Sequence, residues 1–398
     1  MRHVVESAAG AAAAREQFTF ASLVEPLGVE AFLKEYQGKR EWMHHGRPDR
    51  FEWLLSWRGL NALIRDHRPA SPRFRLMKGG NPLPEGAYHR MVPTLRGPLR
   101  LLDPARLLAE LRRGATLVWD AIDQGHPPIR MAKQELERAL HAFVFVNMYA
   151  SWGTRAGIGD HWDDHDVFVL QISGRKNWRV HPATRNWPMA DDCGTEAPPQ
   201  YAFDWTLEAG SVLYLPRGWW HQVTPVNEPS LHLTVGVLRP TNADFLAWLL
   251  ERAKESELVR QDFPFPMDDG ARAAHAVGLR SVLEEWVQPS NIERYEREQD
   301  DAHYLDPRPT LQAVADEDPE AWDPDSEAIL LSTRAQLQDC GAELTLAVAG
   351  KKWQAPKEAG PLLGALVDGK PIRLGTLLEC VPSRLVSELV TAGILAVT

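Results

Sequence analysis

The residues in this chain best suited to do chemistry are His161, Asp163 and His221. His161-Trp162-Asp163-Asp164-His165-Asp166 runs into Val167-Phe168-Val169-Leu170-Gln171-Ile172, which is rich in β-branched and aromatic residues and ends in the turn Ser173-Gly174-Arg175-Lys176. This reads as a buried strand with a polar cluster at its entrance. Residues two apart on a strand project from one face, so His161 and Asp163 are expected to converge. An imidazole and a carboxylate so placed are two ligands of a facial 2-His-1-carboxylate site, the set that leaves positions open on Fe(II). A lone His-x-Asp occurs by chance in any charged loop. Here a second strand-like run, Gly210 to Pro216, is followed by Arg217-Gly218-Trp219-Trp220-His221, which presents a histidine just past a Pro/Gly turn. His221 is the expected third ligand.

Two other histidine patterns lead elsewhere. His161 and His165 have the four-residue spacing of a zinc hydrolase helix, but Trp162 stands where that motif needs its glutamate, and the following residues are strand formers. His44-His45 has no third partner nearby in sequence and reads as a surface pair. Asp164, His165 and Asp166 are open to two readings, as supports or substrate contacts of the site or as a hydrated strand mouth.

Taken together, the segments resemble the JmjC-type, cupin-fold Fe(II)/2-oxoglutarate oxygenases, and within them the ribosomal oxygenases, which hydroxylate ribosomal proteins. The match runs through Asn147-Met148-Tyr149, His161-x-Asp163, Gly174-Arg175-Lys176-Asn177-Trp178-Arg179-Val180, Leu215 to His221 and Ser230-Leu231-His232-Leu233-Thr234. The resemblance implies Fe(II) held by His161, Asp163 and His221, with 2-oxoglutarate as cosubstrate. It also implies that Lys176 binds the distal carboxylate of 2-oxoglutarate and that Tyr149 and Asn147 line the same pocket. Where relatives can carry a serine, this chain has Gly236, which leaves the last pocket contact unassigned. The implied activity is hydroxylation of an Arg or His side chain of a protein, a basic ribosomal protein among the candidates. The alternatives are an oxygenase acting on a modified peptide or small molecule, and a non-catalytic cupin serving as a binding module. The intact trio plus Lys176 argues against the last.

The elements that must position these residues follow from pattern. Strand-like runs separated by Gly/Pro turns from 143 to 238 predict an antiparallel double-stranded β-helix, a jelly roll of the cupin kind, in a mainly β chain with added helices. The barrel core spans about 112–240 within an oxygenase domain at 16–240, after a disordered tail at 1–15. Segments 18–36, 51–57 and 60–64 read as helix, Phe74 to Met77 as strand, and Pro104 to Arg113 as a helix closed by Gly114. Residues 183–200 are polar and Pro-rich, a long loop that is either a substrate rim or a plain connection. Residues 241–315 read as a helical module suited to homodimerisation, residues 316–327 as an acidic linker with seven acids and no base, and residues 328–398 as a winged-helix-like domain.

Composition narrows the classes further. The 398 residues are 44% hydrophobic and 25% charged, an ordinary globular balance. Cys193, Cys340 and Cys380 are widely spaced, so neither a disulfide framework nor a zinc ribbon is expected, and the expected compartment is a reducing cytoplasm. No run approaches the length of a membrane span. The net charge of −10 divides into +3 for residues 1–240 and −13 for residues 241–398. Residues 328–398 hold 7 bases against 6 acids, without the basic stripe that DNA binding needs, so a structural or protein-contacting role is expected there.

Overall fold

A computed structural model describes residues 18–192, 197–303, 305 and 308–398. The tail expected at 1–15 and Cys193 lie outside the described residues. The chain divides into two compact units, one ending at Leu238 and one beginning at Arg239.

The first unit contains strands β1 (Trp42–His44), β2 (Phe74–Lys78), β3 (Asn81–Pro82), β4 (His89–Val92), β5 (Leu99–Leu102), β6 (Thr116–Trp119) and β7 (Phe143–Ser151). It continues with β8 (Asp166–Ser173), β9 (Lys176–His181), β10 (Phe203–Leu207), β11 (Val212–Leu215), β12 (Trp220–Pro225) and β13 (Ser230–Leu238). An eight-stranded sheet has the order β1-β11-β8-β13-β7-β6-β2-β3, and a three-stranded sheet the order β10-β9-β12. Their pairings are antiparallel throughout, as a jelly roll requires.

Side-chain alternation assigns the two faces of the large sheet. Val144, Val146, Met148 and Ala150 of β7, Phe168, Leu170 and Ile172 of β8, and Leu231, Leu233, Val235 and Val237 of β13 share one core with Phe20, Phe32, Leu60, Ile129 and Leu136 from the helical segments. Val167 and Val169 of β8 turn the other way and join Leu213, Leu215, Trp178, Val180 and Leu207 in a second core between the sheets. Thus β8 is buried on both faces, which is why its sequence reads as one continuous apolar run. The same alternation sends Asn147, Tyr149 and Ser151 of β7, and His232 and Thr234 of β13, into the space between the sheets.

The helices begin where their caps sit. Ser56 Oγ accepts from Gly59 N at 3.1 Å and starts Trp57–His67, and Asp103 caps Pro104–Arg112. The expectation of helix over 51–57 is therefore corrected: residues 51–54 form turns and the helix starts at Trp57. Phe51, Leu54 and Leu55 are apolar because they are buried in the core as turn residues, and Ser56 prevents the helix from extending back through them.

In the second unit, helices Asn242–Ala253, Glu257–Arg260, Asp269–Trp286 and Pro289–Asp301 occupy the segment expected to be helical. They are followed by β14 (Glu327–Leu330), β15 (Gln336–Asp339), β16 (Glu343–Val348), β17 (Lys351–Pro356), β18 (Ile372–Arg373) and β19 (Leu395–Val397), with helices Gly360–Val367, Leu374–Leu378 and Ser383–Thr391 among them. These strands form two three-stranded sheets, β18-β14-β19 and β15-β16-β17. No described helix is long and apolar enough to cross a membrane.

The stretch expected as an acidic linker, 316–327, instead folds onto this unit. It contains the short helix Pro319–Ala321, and Trp322 is 6% exposed within the core, its Nε1 donating to Asp316 O at 2.9 Å. Charge density alone favoured solvation, but one indole carries enough apolar surface to anchor such a segment. Trp322→Ala is expected to lower the stability of this unit by about 3–5 kcal/mol, read as a shifted midpoint in denaturant unfolding. An unchanged midpoint would restore the linker.

Candidate active site

One cavity between the sheets collects the predicted residues. It is lined by Asn147, Tyr149 and Ser151 from β7, Val167 from β8, Lys176 and Trp178 from β9, His221, Val223 and Pro225 from β12, and His232 and Thr234 from β13. Thr116, Gly157, Ile158, His161, Asp163 and His165 complete it.

His161, Asp163 and His221 each offer one ligand atom, and these atoms all lie within 4.8 Å of one another. Strand alternation is not what brings them together. His161 forms a single-residue antiparallel bridge with His221, with His221 N donating to His161 O at 2.8 Å and His161 N to His221 O at 3.3 Å. His161 thereby adds itself to the free edge of β12. Asp163 sits in irregular backbone, held by Gly218 N donating to its carbonyl at 2.9 Å. Gly218 has φ +85°, and a Cβ there would approach Pro188 Cδ to 2.5 Å, so the turn before His221 requires glycine.

Both histidines are oriented through Nδ1, which lies 2.8 Å from Gly159 O in His161 and 3.1 Å from Trp219 O in His221. A carbonyl only accepts, so each Nδ1 carries a hydrogen, and Nε2 is the ring atom left to serve as a ligand. His221 Nε2 stands 3.7 Å from Asp163 Oδ2. Burial, and then the neighbouring His161, hold the His221 pKa down at about 4, so its imidazole is neutral at pH 7. Two imidazole lone pairs and one carboxylate in this arrangement fit a divalent cation of the Fe(II) type.

The flanking residues divide by role. Asp166 Oδ2 accepts from Tyr214 OH at 2.8 Å and Oδ1 from Arg217 N at 2.9 Å, which braces the turn before His221 from beneath. Asp164 Oδ1 lies 2.8 Å from His165 Nδ1, and the His165 ring, set edge-on against Phe145 at 4.9 Å, faces the cavity. His45, read as a surface residue, is exposed, with Nδ1 2.9 Å from Ser211 Oγ.

Lys176 is 3% exposed, and burial pushes its pKa down to about 7. Along β9 it lies four residues before Val180, the partner of His221 in the β9–β12 ladder. Tyr149 is raised by burial and lies over His232, while Asn147 Oδ1 accepts from Ala121 N at 3.0 Å. Gly236 is covered: a Cβ there would meet the Phe145 ring at 2.3 Å. The cavity-facing polar residue of β13 beside the expected position is therefore Thr234. Sequence reasoning did not single out His232, Ser151, Trp178 or Thr234. The alternation in Ser230-Leu231-His232-Leu233-Thr234 was the available signal for two of them. Ser151 Oγ and Trp178 Nε1 are buried without a hydrogen-bond partner among the described residues.

Residues 125–245 match the JmjC domain model. The bifunctional lysine-specific demethylase and histidyl-hydroxylase NO66 of Drosophila persimilis is 26% identical over 235 residues, covering 54% of this chain and 31% of that protein. The NO66 of Drosophila mojavensis is 36% identical over 237 residues, covering 54% of this chain and 24% of that protein. The chain thus spans less than a third of these relatives' length. The crystal structure of the Escherichia coli ribosomal oxygenase YcfD superposes with TM-score 0.57 at 20% identity, covering 94% of this chain and 98% of that one. A further YcfD structure, with TM-score 0.52, 19% identity and 94% and 98% coverage, is a complex with cobalt and 2-oxoglutarate. With the jelly roll, the bridged histidines and the family match in agreement, residues 125–245 of this chain are a JmjC domain.

Proposed function

We propose that this chain is an Fe(II)- and 2-oxoglutarate-dependent oxygenase that hydroxylates an Arg or His side chain of a protein, with a basic ribosomal protein as the favoured substrate. The observation that carries this reading is one cavity holding His161, Asp163 and His221 together with the buried Lys176. The YcfD complex with cobalt and 2-oxoglutarate supports the ligand pair, and the names of YcfD and NO66 support the substrate class. Bound Fe(II), with 2-oxoglutarate and O₂ as co-reactants, would supply the oxidising chemistry: 2-oxoglutarate loses CO₂ and takes one oxygen atom to become succinate, and the other atom converts a substrate C–H bond to C–OH.

The protein's own groups bind and orient. His161 and His221 keep Nε2 available as the ligand atom because backbone carbonyls engage their Nδ1 hydrogens. Lys176 offers the distal carboxylate a charge-assisted hydrogen bond in a site with little water. Tyr149, Ser151 and Trp178 complete the walls. His165, with Asp164 2.8 Å from its Nδ1, lines the same cavity and is a candidate contact for a substrate side chain.

A polypeptide substrate is favoured by charge. Residues 241–398 carry −13, which attracts Lys/Arg-rich partners and speeds their association at low salt. The reading includes a homodimer formed through 241–315, no direct DNA contact, and a cytoplasmic location. The test is proteome-wide mass spectrometry with and without the enzyme, seeking peptides that gain one oxygen atom. Hydroxylation of a candidate peptide is expected to fall as salt rises. Hydroxylation of a free amino acid, with no activity on any peptide containing it, would overturn the polypeptide assignment.

A further inference from the structure

Lys176 Nζ lies 3.0 Å from Nδ1 of His232, and both residues are 3% exposed. Among the described residues no carboxylate lies within ion-pair distance of Lys176, so the neighbour holding this amine is a ring nitrogen. Burial, and then Lys176, keep the His232 pKa well below its ordinary value, so its ring is neutral. An ammonium can only donate, which makes His232 Nδ1 the acceptor and places the ring hydrogen on Nε2.

The ring is fixed from several sides. Tyr149 stacks on it at 4.9 Å with planes 8° apart, and Trp178 meets it edge-on at 5.7 Å. The β13–β8 register shifts between Leu231 and His232, an irregularity of the kind that re-aims a side chain. A flexible lysine stem with four rotatable bonds would otherwise sample many positions in the cavity.

We propose that His232 is a positioning residue for the cosubstrate's distal carboxylate: its Nδ1 takes one of the three Nζ hydrogens of Lys176 and so aims the other two into the cavity, selecting keto acids that carry a second carboxylate. This rests on the 2-oxoglutarate reading above and adds to it a residue that touches Lys176 rather than the reacting atoms. A lysine held by this contact has less freedom to lose on binding a carboxylate.

The experiment is calorimetric titration of the full-length chain, loaded with Mn(II), with 2-oxoglutarate and with 2-oxobutyrate, which lacks the distal carboxylate. His232→Leu is expected to weaken 2-oxoglutarate by about tenfold, the scale of one hydrogen bond to a charged group, and to leave 2-oxobutyrate within about twofold. His232→Asn, whose amide oxygen lies near the position of Nδ1, is expected to recover most of the loss. Equal losses for both ligands, or no loss for either, overturn the assignment. Failure of the wild-type chain to prefer 2-oxoglutarate over 2-oxobutyrate removes the cosubstrate reading itself and this inference with it. Failure confined to the two variants leaves that reading standing and rejects only the role of His232.

Discussion

His221→Ala is expected to abolish 2-oxoglutarate turnover, by at least about a thousandfold, equivalent to some 4 kcal/mol of barrier. His221 is the buried member of the trio, at 5% exposure, and with it gone one imidazole and one carboxylate remain. That pair cannot hold one face of an octahedral ion with three protein ligands. The variant should still fold, because the contact between residues 161 and 221 is made by backbone groups that alanine retains. Loss of divalent-metal binding by titration, with an unchanged thermal unfolding profile, would separate a missing ligand from a broken barrel. Succinate formation at the wild-type rate would end the assignment of His221.

Lys176→Met is expected to weaken 2-oxoglutarate binding by about a hundredfold while metal binding survives, and to make the protein more stable. The second effect follows from the lysine's burial, which holds its pKa at about 7, whereas the unfolded chain releases that proton only near the ordinary lysine value of about 10.4. Between these values the unfolded state binds the extra proton, so the penalty of burying Lys176 is full below pH 7 and fades as pH rises toward 10. Methionine removes that penalty, and the gain, about 1–2 kcal/mol near neutrality, should shrink in alkaline buffer. In the wild-type chain cosubstrate binding needs the protonated amine, so affinity should be level below pH 7 and fall above it. A lysine variant that binds 2-oxoglutarate normally would show that another group holds the distal carboxylate.

The site was legible in the sequence to the extent that its chemistry depends on residue type. His161, Asp163 and His221 could be named because few residues serve as metal ligands and each stood beside a strand-like run or a Pro/Gly turn, whereas Lys176 came from the family resemblance. The reason given for the convergence of His161 and Asp163 was a local periodicity, and the structure replaces it with a long-range bridge to residue 221. His232 went unassigned for the same reason. Its significance depends on β13 lying beside β7, which places it opposite Tyr149, and on a sheet-to-sheet approach that brings Lys176 within reach. Segment 51–57 failed differently. Its aromatics and leucines satisfy burial through turns, and composition without periodicity cannot separate a turn from a helix.

The bridge between His161 and His221 has a consequence for how this domain can diverge. Backbone hydrogen bonds tie the two segments together, so under the proposed function the shape of the cavity would be inherited separately from its reactivity. A descendant chain that exchanged Asp163 for an uncharged residue would give up the cation and keep a walled, lysine-floored receptor for small carboxylic acids. On that reading, reactivity and molecular recognition would be independently mutable traits of one scaffold.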